Sequence, residues 1–232
     1  MPIHHDHKLI HVEVPKTGGS TIEQLLGNPC KREDNARFYG TVRGAAAVFL
    51  SGTPDCIMTH LTATEIARAA PYHYHAYRKF MVVRDPFTRL ESEYRYLLGL
   101  AGKMGEPGVV LDNLPYHVRS TFRDFVETLV ADHGSGRVGR MTQAERCHLV
   151  PQSDYLPPPG DGVTVFKFED FPSAARSVMG MAGLPAPVSI PVVNATDKGS
   201  TSLHDAYTAA ATVDLYRADF EAFGYGKKHP FC

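Results

Sequence analysis

Apolar residues along the chain fall into runs of two kinds, separated by turn-forming residues. Four short runs, rich in β-branched or consecutive apolar residues, predict buried strands at 8–14, 56–59, 79–83 and 163–168. Longer amphipathic runs predict helices at 20–26, 62–70, 86–98, 121–132, 142–149, 172–182 and 202–223. Strands that alternate with helices are typical of a parallel sheet. The pattern therefore predicts an α/β fold with a central parallel sheet flanked by helices.

Several predicted helices carry recognisable start signals. Thr62 and Glu65 have the spacing of a capping box, and the same spacing recurs at 142–145. Asp85 is placed as an N-cap, with Pro86 in the first turn that follows it. These signals predict where three of the helices begin, namely those at 62–70, 86–98 and 142–149.

Length and charge describe one ordinary globular domain. The chain has 232 residues, which suits a single domain spanning 1–232, and it shows no internal repeat. Its 24 Lys and Arg residues nearly balance 25 Asp and Glu residues, giving a net charge of −1. Because nucleic-acid binding usually needs a basic surplus, we expect no nucleic-acid partner. Any anion that this protein binds must be met by a local cluster.

The N-terminal segment and the cysteines add expectations about location and metals. Residues 1–8 hold no apolar run, so we expect no signal peptide and no membrane anchor or span, and a cytoplasmic protein. Residues 1–7, with His4, His5 and His7, are expected to be frayed rather than metal-binding. The four cysteines lie far apart without a CxxC pair, which disfavours zinc and disulfides.

A glycine turn directly after the first predicted strand suggests an anion site. The segment 15–21 reads PKTGGST. Glycines let backbone amides converge on oxygen atoms, and Lys16 adds a positive charge. The alternative is a tight turn with a Ser N-cap and a solvated lysine. Lys16 precedes Gly18 and Gly19, whereas the lysine of a Walker A loop follows the second glycine, so the loop departs from an ATP or GTP loop.

A second anion-binding element follows the third predicted strand. Arg84 lies at the carboxyl end of that strand, where open parallel sheets bind ligands. Arg89 and Ser92 follow on the next helix, three residues apart. Arginine and serine together can hold phosphate oxygens through charge-assisted hydrogen bonds. The alternative pairs Arg84 with Asp85 and turns Ser92 to solvent.

These segments resemble the sulfotransferases that use 3′-phosphoadenosine 5′-phosphosulfate (PAPS), specifically the carbohydrate group with the heparan sulfate 2-O- and 6-O-sulfotransferases and their bacterial relatives. PKTGGST is similar to that family's 5′-phosphosulfate loop, and VVRDPFTRLESEY is similar to its 3′-phosphate motif. Residues 148–156 resemble its PQ-containing loop, 165–171 its strand ending in glutamate, and 215–225 its last helix. The resemblance implies a P-loop-like three-layer fold, no metal requirement, and sulfuryl transfer to a hydroxyl acceptor, a carbohydrate or glycolipid.

The resemblance also assigns donor-binding residues. Lys16 would meet the charge on the departing phosphate, and Lys198 lies in a basic, glycine-containing segment that could touch the 3′-phosphate. The full set expected to bind PAPS is Lys16, Thr17, Gly18, Gly19, Ser20, Thr21, Arg84, Arg89, Ser92 and Lys198. The turn-rich segments, 99–120 and 152–162, are expected to be loops that shape the acceptor site.

The acceptor hydroxyl needs a proton acceptor, and histidine suits this role at neutral pH. His60 ends the second predicted strand, so in a parallel sheet it would emerge at the same edge as Lys16 and Arg84. The resembled enzymes likewise place a catalytic histidine there, and His148, near the PQ loop, is the alternative base. Some of them carry a histidine just before the phosphosulfate loop, where this chain has Glu13.

Two other functions remain open at this point. One is a P-loop kinase of small molecules that uses Mg-ATP, with Asp85 as the magnesium-binding carboxylate. The other is a nucleotide-binding protein that has kept the anion cradle and lost the chemistry.

Overall fold

The structure is a computed structural model that describes residues 3–27, 41–53, 55–102, 121–191 and 201–228. These residues include six strands: β1 Ile3–His4, β2 Leu9–His11, β3 Thr41–Arg43, β4 Asp55–Ile57, β5 Arg78–Val83 and β6 Thr164–Lys167. They also include the helices α1 Gly19–Leu25, α2 Ala45–Ser51, α3 Ala63–Ala69, α4 Pro71–Ala76, α5 Pro86–Gly102, α6 Phe122–Gly134, α7 Arg137–Arg140, α8 Gln143–Arg146, α9 Phe171–Met181, α10 Ala206–Leu215 and α11 Arg217–Phe223. Short 3₁₀ turns occupy Met58–His60, Gln152–Tyr155 and Phe168–Asp170.

The central sheet has four strands in the order β1-β2-β5-β6. β2 and β6 both run parallel to β5, with Ile10 opposite Lys79 and Met81 opposite Val165. Only β1 is antiparallel to its neighbour. The prediction of an α/β fold with a mostly parallel central sheet flanked by helices is therefore confirmed.

Helices cover both faces of this sheet because its strand residues alternate between two apolar clusters. On one face, Leu9 and Phe80 pack with Ile22 of α1 and Val178 of α9. The opposite face carries a second cluster built from Ile10, Val12, Met81 and Val83 together with Leu61 and Ile66. Burial on both faces explains why the central strands read as apolar runs.

A third apolar cluster lies among four helices outside the central sheet. It joins α5, α6, α10 and α11 through residues such as Leu90, Leu97, Phe125, Leu129 and Phe220. Capping boxes at Thr62, Thr121, Thr142 and Asp205 satisfy the first amides of α3, α6, α8 and α10. The two boxes expected from sequence, at 62–65 and 142–145, are thus formed.

The structure corrects four element predictions. The segment expected at 56–59 forms β4, which pairs antiparallel with β3 in a separate two-stranded sheet. β6 is an edge strand and is mostly exposed, not buried. The single helix expected at 202–223 is two helices, α10 and α11, which meet at Tyr216 with φ −115°. The helix expected at 142–149 is shorter, since α8 ends at Arg146.

Three further segments differ from expectation. Ile3 and His4 form β1 and are buried, so this part of the segment expected to be frayed is ordered. α5 continues through residues 99–102, which were expected to be loop, and residues 103–120 lie outside the described residues. Residues 152–155 form a 3₁₀ turn within the second predicted loop. No helix in the described part of the chain has the length and apolar character that a membrane crossing requires.

Candidate active site

The loop between β2 and α1 has a constrained backbone. Lys16 has φ 67° and Gly18 has φ 89°, both in the left-handed region. For a non-glycine residue such as Lys16 this conformation costs about 1–2 kcal/mol. Backbone strain of this kind concentrates at functional sites, where the surrounding structure maintains it.

Both glycines of the loop are required by close packing. A Cβ on Gly18 would lie 2.5 Å from Cε2 of Phe171 and would also keep an unfavourable φ. A Cβ on Gly19 would overlap the carboxyl group of Glu13. Gly18 is the N-cap of α1 and no side chain caps this helix, so the alternative of a turn capped by Ser20 is not the conformation observed.

The predicted loop residues divide into partly exposed and buried groups, and Gly19 belongs to the buried group. Lys16, Gly18 and Ser20 are half-buried, whereas Thr17 and Thr21 are buried. The Thr17 hydroxyl donates to the Val14 carbonyl at 2.8 Å, which ties the loop to the end of the β2 segment. The Thr17 side chain therefore supports the loop from inside.

Arg84 connects the loop to the neighbouring strand β5. Its Nη1 donates to the Lys16 carbonyl at 3.2 Å, and its Nε donates to Thr88 Oγ1 at 3.1 Å. Gln152, from the PQ-containing segment, bonds both backbone groups of Arg84, each at 2.8 Å. The guanidinium thus lies against the loop, as the strand-end position predicts, and does not pair with Asp85.

Two other predicted phosphate-binding residues, Arg89 and Ser92, are buried and not at this surface. Arg89 is 2% exposed, and its Nη2 donates to the Val150 carbonyl at 3.1 Å. Its guanidinium lies 5.0 Å from the ring centre of Tyr216, in the helical core. Ser92 is also buried. Lys198 lies outside the described residues.

His60 reaches the site by a route that differs from the one predicted. β4 is not part of the parallel sheet, but the 3₁₀ turn after it brings His60 Nδ1 to 3.2 Å from the Glu13 carbonyl at the end of the β2 segment. Gln143 holds this turn, because its Nε2 donates to the His60 carbonyl at 2.7 Å and its Oε1 accepts from Ile57 N at 2.7 Å. A buried glutamine on α8 therefore positions His60.

A second histidine lies beside His60. The two rings, His60 and His148, meet edge to face with centroids 5.0 Å apart. His148 Nδ1 lies 2.8 Å from Oε2 of Glu93, a buried carboxylate on α5. The Tyr96 ring is parallel to that of His148 at 5.9 Å, and Lys16 Nζ lies 3.8 Å from the centre of Tyr96. We call Lys16, His60, Glu93, Tyr96 and His148 the histidine–lysine cluster.

The protonation states in this cluster follow from burial and charge. Burial, together with the charges of His148 and Lys16, lowers the pKa of His60 to about 3, so its ring is neutral at physiological pH. Burial lowers the pKa of Lys16, while Glu93 opposes this shift. Burial by itself raises the pKa of Glu93, but His148, Lys16 and Arg89 outweigh it and lower that pKa overall. Glu93 is therefore an ionised carboxylate.

Sequence reasoning did not identify Glu93, Tyr96, Gln143 or Gln152. Glu93 directly follows Ser92 in the resembled motif, and Tyr96 is one turn further along α5, so helical spacing was the available signal. Gln143 has no comparable signal, because its role depends on a contact with a segment 83 positions away. Within the described residues, no three His, Cys, Asp or Glu side chains are grouped as metal ligands.

Comparisons with known proteins show the family of this chain. A model of the sulfotransferase family matches residues 1–226. The chain therefore belongs to the sulfotransferase family, whose members transfer sulfuryl groups. A crystal structure of a sulfotransferase from Alicyclobacillus acidocaldarius is 14% identical, covers 94% of this chain and 84% of its own, and has a TM-score of 0.37. A search of curated proteins found no match.

Proposed function

We propose that this protein transfers the sulfuryl group of PAPS to a hydroxyl of a carbohydrate acceptor, with His60 as the general base. One observation carries the proposal: Lys16 of the glycine loop lies in a single cluster with two histidines, beside the carboxyl ends of parallel strands. Anion binding, charge stabilisation and proton removal are the three tasks of sulfuryl transfer, and this cluster has a residue for each.

Donor binding is assigned to the glycine loop and to Arg84. Lys16, Gly18 and Ser20 are partly exposed, and the loop amides of 17–21 would contribute through the backbone. Arg84 already holds the Lys16 carbonyl, so a phosphate bound at Arg84 and one bound at the loop would be fixed relative to each other. The interior positions of Arg89 and Ser92 favour supporting roles for them.

His60 is suited to accept the acceptor's proton because its tautomer is defined. A carbonyl oxygen can only accept a hydrogen bond, so the contact with Glu13 places the proton on Nδ1 and leaves the lone pair on Nε2. Nε2 would take the proton as the acceptor oxygen bonds to sulfur and the sulfur–oxygen bond to the 5′-phosphate breaks. Lys16 would stabilise the negative charge that this phosphate gains.

His148 is a second candidate for the base, and a specific observation favours it. Glu93 accepts from His148 Nδ1 at 2.8 Å, so in the neutral ring Nε2 would carry the lone pair, and the carboxylate would stabilise the cation formed on protonation. We expect His60→Gln to lower kcat about 10²–10⁴-fold if His60 is the base. His148→Gln, measured beside it, identifies the base as the histidine whose loss has the larger effect on kcat.

A magnesium-dependent kinase is less consistent with the contacts of Asp85. Its Oδ1 accepts from Thr88 N at 3.0 Å, which is the geometry of an N-cap on α5. Using this carboxylate for Mg²⁺ would compete with that cap.

The neutral, oriented ring of His60 also has no task in a protein that only binds nucleotide.

A thermal-shift comparison tests the donor. 3′-Phosphoadenosine 5′-phosphate at a hundredfold excess over its Kd should stabilise the fold by about 2.7 kcal/mol, while ATP with or without Mg²⁺ should stabilise it less. Lys16→Ala should reduce the shift and abolish sulfuryl transfer, with the unfolding transition of the free protein retained. Stabilisation by Mg-ATP alone would refute the proposal in favour of a kinase.

A further inference from the structure

A cavity lined by both apolar and charged side chains lies next to His60, on elements other than the glycine loop. It has a volume of about 290 Å³ and is lined by residues of α2, α3, α8 and the 3₁₀ turn 152–155. His60 is the one member of the histidine–lysine cluster among its lining residues. This volume is near the lower end of the range of about 300–1,000 Å³ for small-molecule sites, so it suits one ring-sized unit.

Two arginines converge on one part of the cavity wall. Arg68 Nη1 donates to the Leu50 carbonyl at 3.3 Å, and Arg146 Nη2 donates to the Ser51 carbonyl at 3.4 Å. These carbonyls are adjacent at the end of α2, so the two guanidinium groups lie near each other. Each uses one nitrogen for this contact and, within the described residues, bonds no carboxylate. The remaining donors are available to a ligand.

The wall also carries two carboxylates, equal in number to its two arginines. Glu65 is buried, and its Oε2 accepts from Thr62 N at 2.7 Å in the capping box of α3. Asp154 is exposed, and partial desolvation raises the pKa of its carboxyl overall, although the charge of Arg146 acts to lower that pKa. The side chain of Gln143 bonds Ile57 and His60 through its two ends. The feature of this wall that a ligand can use is therefore the set of guanidinium donors that no carboxylate of the described residues bonds.

We propose that this cavity is the acceptor site and that it takes a small hydroxyl compound carrying one carboxylate or phosphate. Arg68 and Arg146 would bind the anionic group by charge-assisted hydrogen bonds, and a hydroxyl of the same molecule would face His60. This inference rests on the proposed function, and it narrows the acceptor to an acidic compound of monosaccharide size. A long polyanionic chain would meet only these two cationic groups here.

Direct binding to the full chain without donor tests the site. The probes are glucuronate, glucose 6-phosphate and methyl glucoside, with Kd measured by ligand-observed NMR. We expect at least one anionic probe to bind about tenfold or more tightly than methyl glucoside. Arg146→Gln should reduce this advantage to less than about threefold, and Arg146→Lys should restore part of it. Glucuronate and glucose 6-phosphate together distinguish carboxylate from phosphate recognition.

The control variant is Arg176→Gln, which removes an exposed arginine of α9 that is not part of the cavity. It should leave all three Kd values unchanged. Equal binding of the anionic and neutral probes, no binding of any probe, or equal loss in the Arg146 and Arg176 variants would overturn the inference. Because these measurements need no donor, their outcome is separate from the thermal-shift test of PAPS binding.

Discussion

Two carboxylate–histidine clusters are built on different elements of the structure, and they differ in their access to solvent. In the first, which we call the rear cluster, Glu23 Oε1 contacts His11 Nδ1 at 2.7 Å and His4 Nε2 at 3.2 Å. In the second, which we call the front pair, Glu93 contacts His148 at 2.8 Å. The side chains of His11 and Glu23 are fully buried, whereas 22% of the His148 side chain is exposed.

The comparison shows how one pair of residue types can serve two purposes. In both clusters nearby partners outweigh the effect of burial and lower the pKa of the carboxylate, so both glutamates are ionised. The partners of Glu23 are His11 and His4, and those of Glu93 are His148, Lys16 and Arg89. The rear cluster joins β1, β2 and α1 and is buried, so we expect it to contribute to stability. The front pair includes a partly exposed histidine near Lys16, so under the proposed function we expect it to contribute to chemistry.

Glu13 separates the two clusters and behaves differently from both glutamates. Burial and the nearby Glu23 raise its pKa well above the usual value, which favours the protonated form. Its Oε2 has no hydrogen-bond partner among the described residues. Its backbone carbonyl, however, accepts from His60. The position where some resembled enzymes have histidine thus holds a glutamate that orients His60 through its main chain.

The largest effect is expected for Glu23→Gln, a change in the rear cluster that should lower the free energy of unfolding. Removing the carboxylate leaves the buried nitrogens of His4 and His11 without a charged hydrogen-bond acceptor, which costs about 3 kcal/mol. We expect this loss in the free energy of unfolding from urea titration, with kcat of the folded fraction unchanged. A loss of kcat at full occupancy of the folded state would show that the rear cluster also serves the reaction.

The corresponding change in the front pair is Glu93→Gln, which we expect to lower kcat. Loss of the carboxylate leaves His148 without its charged partner and removes the counter-charge near Lys16, so kcat should fall about 10²-fold. The measurement is steady-state sulfuryl transfer, with circular dichroism to check folding. Unchanged kcat would mean that the front pair is structural like the rear one.

As the pH falls, His60 and Glu23 should each reduce the stability of the fold, but over different pH windows. The pKa of His60 is lowered to about 3 in the folded state, whereas an unfolded histidine has a pKa of about 6.5. Below about pH 6.5 the unfolded chain therefore binds more protons than the folded chain, and the free energy of unfolding decreases as the pH falls. The lowered pKa of Glu23 provides stability that is present above about pH 4.3 and is lost below it. His60→Gln should therefore flatten the first window, and Glu23→Gln the second, in Tm measured against pH.

The smallest effect is expected for Glu13→Gln. Glutamine has nearly the shape of a protonated glutamate, and the carbonyl that orients His60 is retained, so Tm and kcat should change little at pH 7. Glu13→Asp, which withdraws the carboxyl from Gly19, provides the contrasting variant. A large loss of activity in Glu13→Gln alone would mean that the carboxyl ionises during the reaction.

Local patterns predicted much of the fold because they act over a few residues. Short apolar runs predicted the central strands, and their alternation with helices predicted that these strands run parallel. Capping spacings at 62–65 and 142–145 predicted two helix starts. The order of Lys16 and the two glycines pointed to the loop. These features depend on backbone geometry and on neighbours in the chain, so the sequence alone determined them.

Other features were decided only by contacts between distant segments. β4 lies outside the parallel sheet, yet Gln143 brings His60 to the end of β2, a result that strand order alone did not predict. Arg89 reads as a phosphate ligand in sequence but is enclosed by the helical core. Whether a charged side chain faces a ligand or the interior depends on desolvation and on available partners, and packing sets both. The sequence determined the chemical groups of this site, and the tertiary structure determined which of them meet.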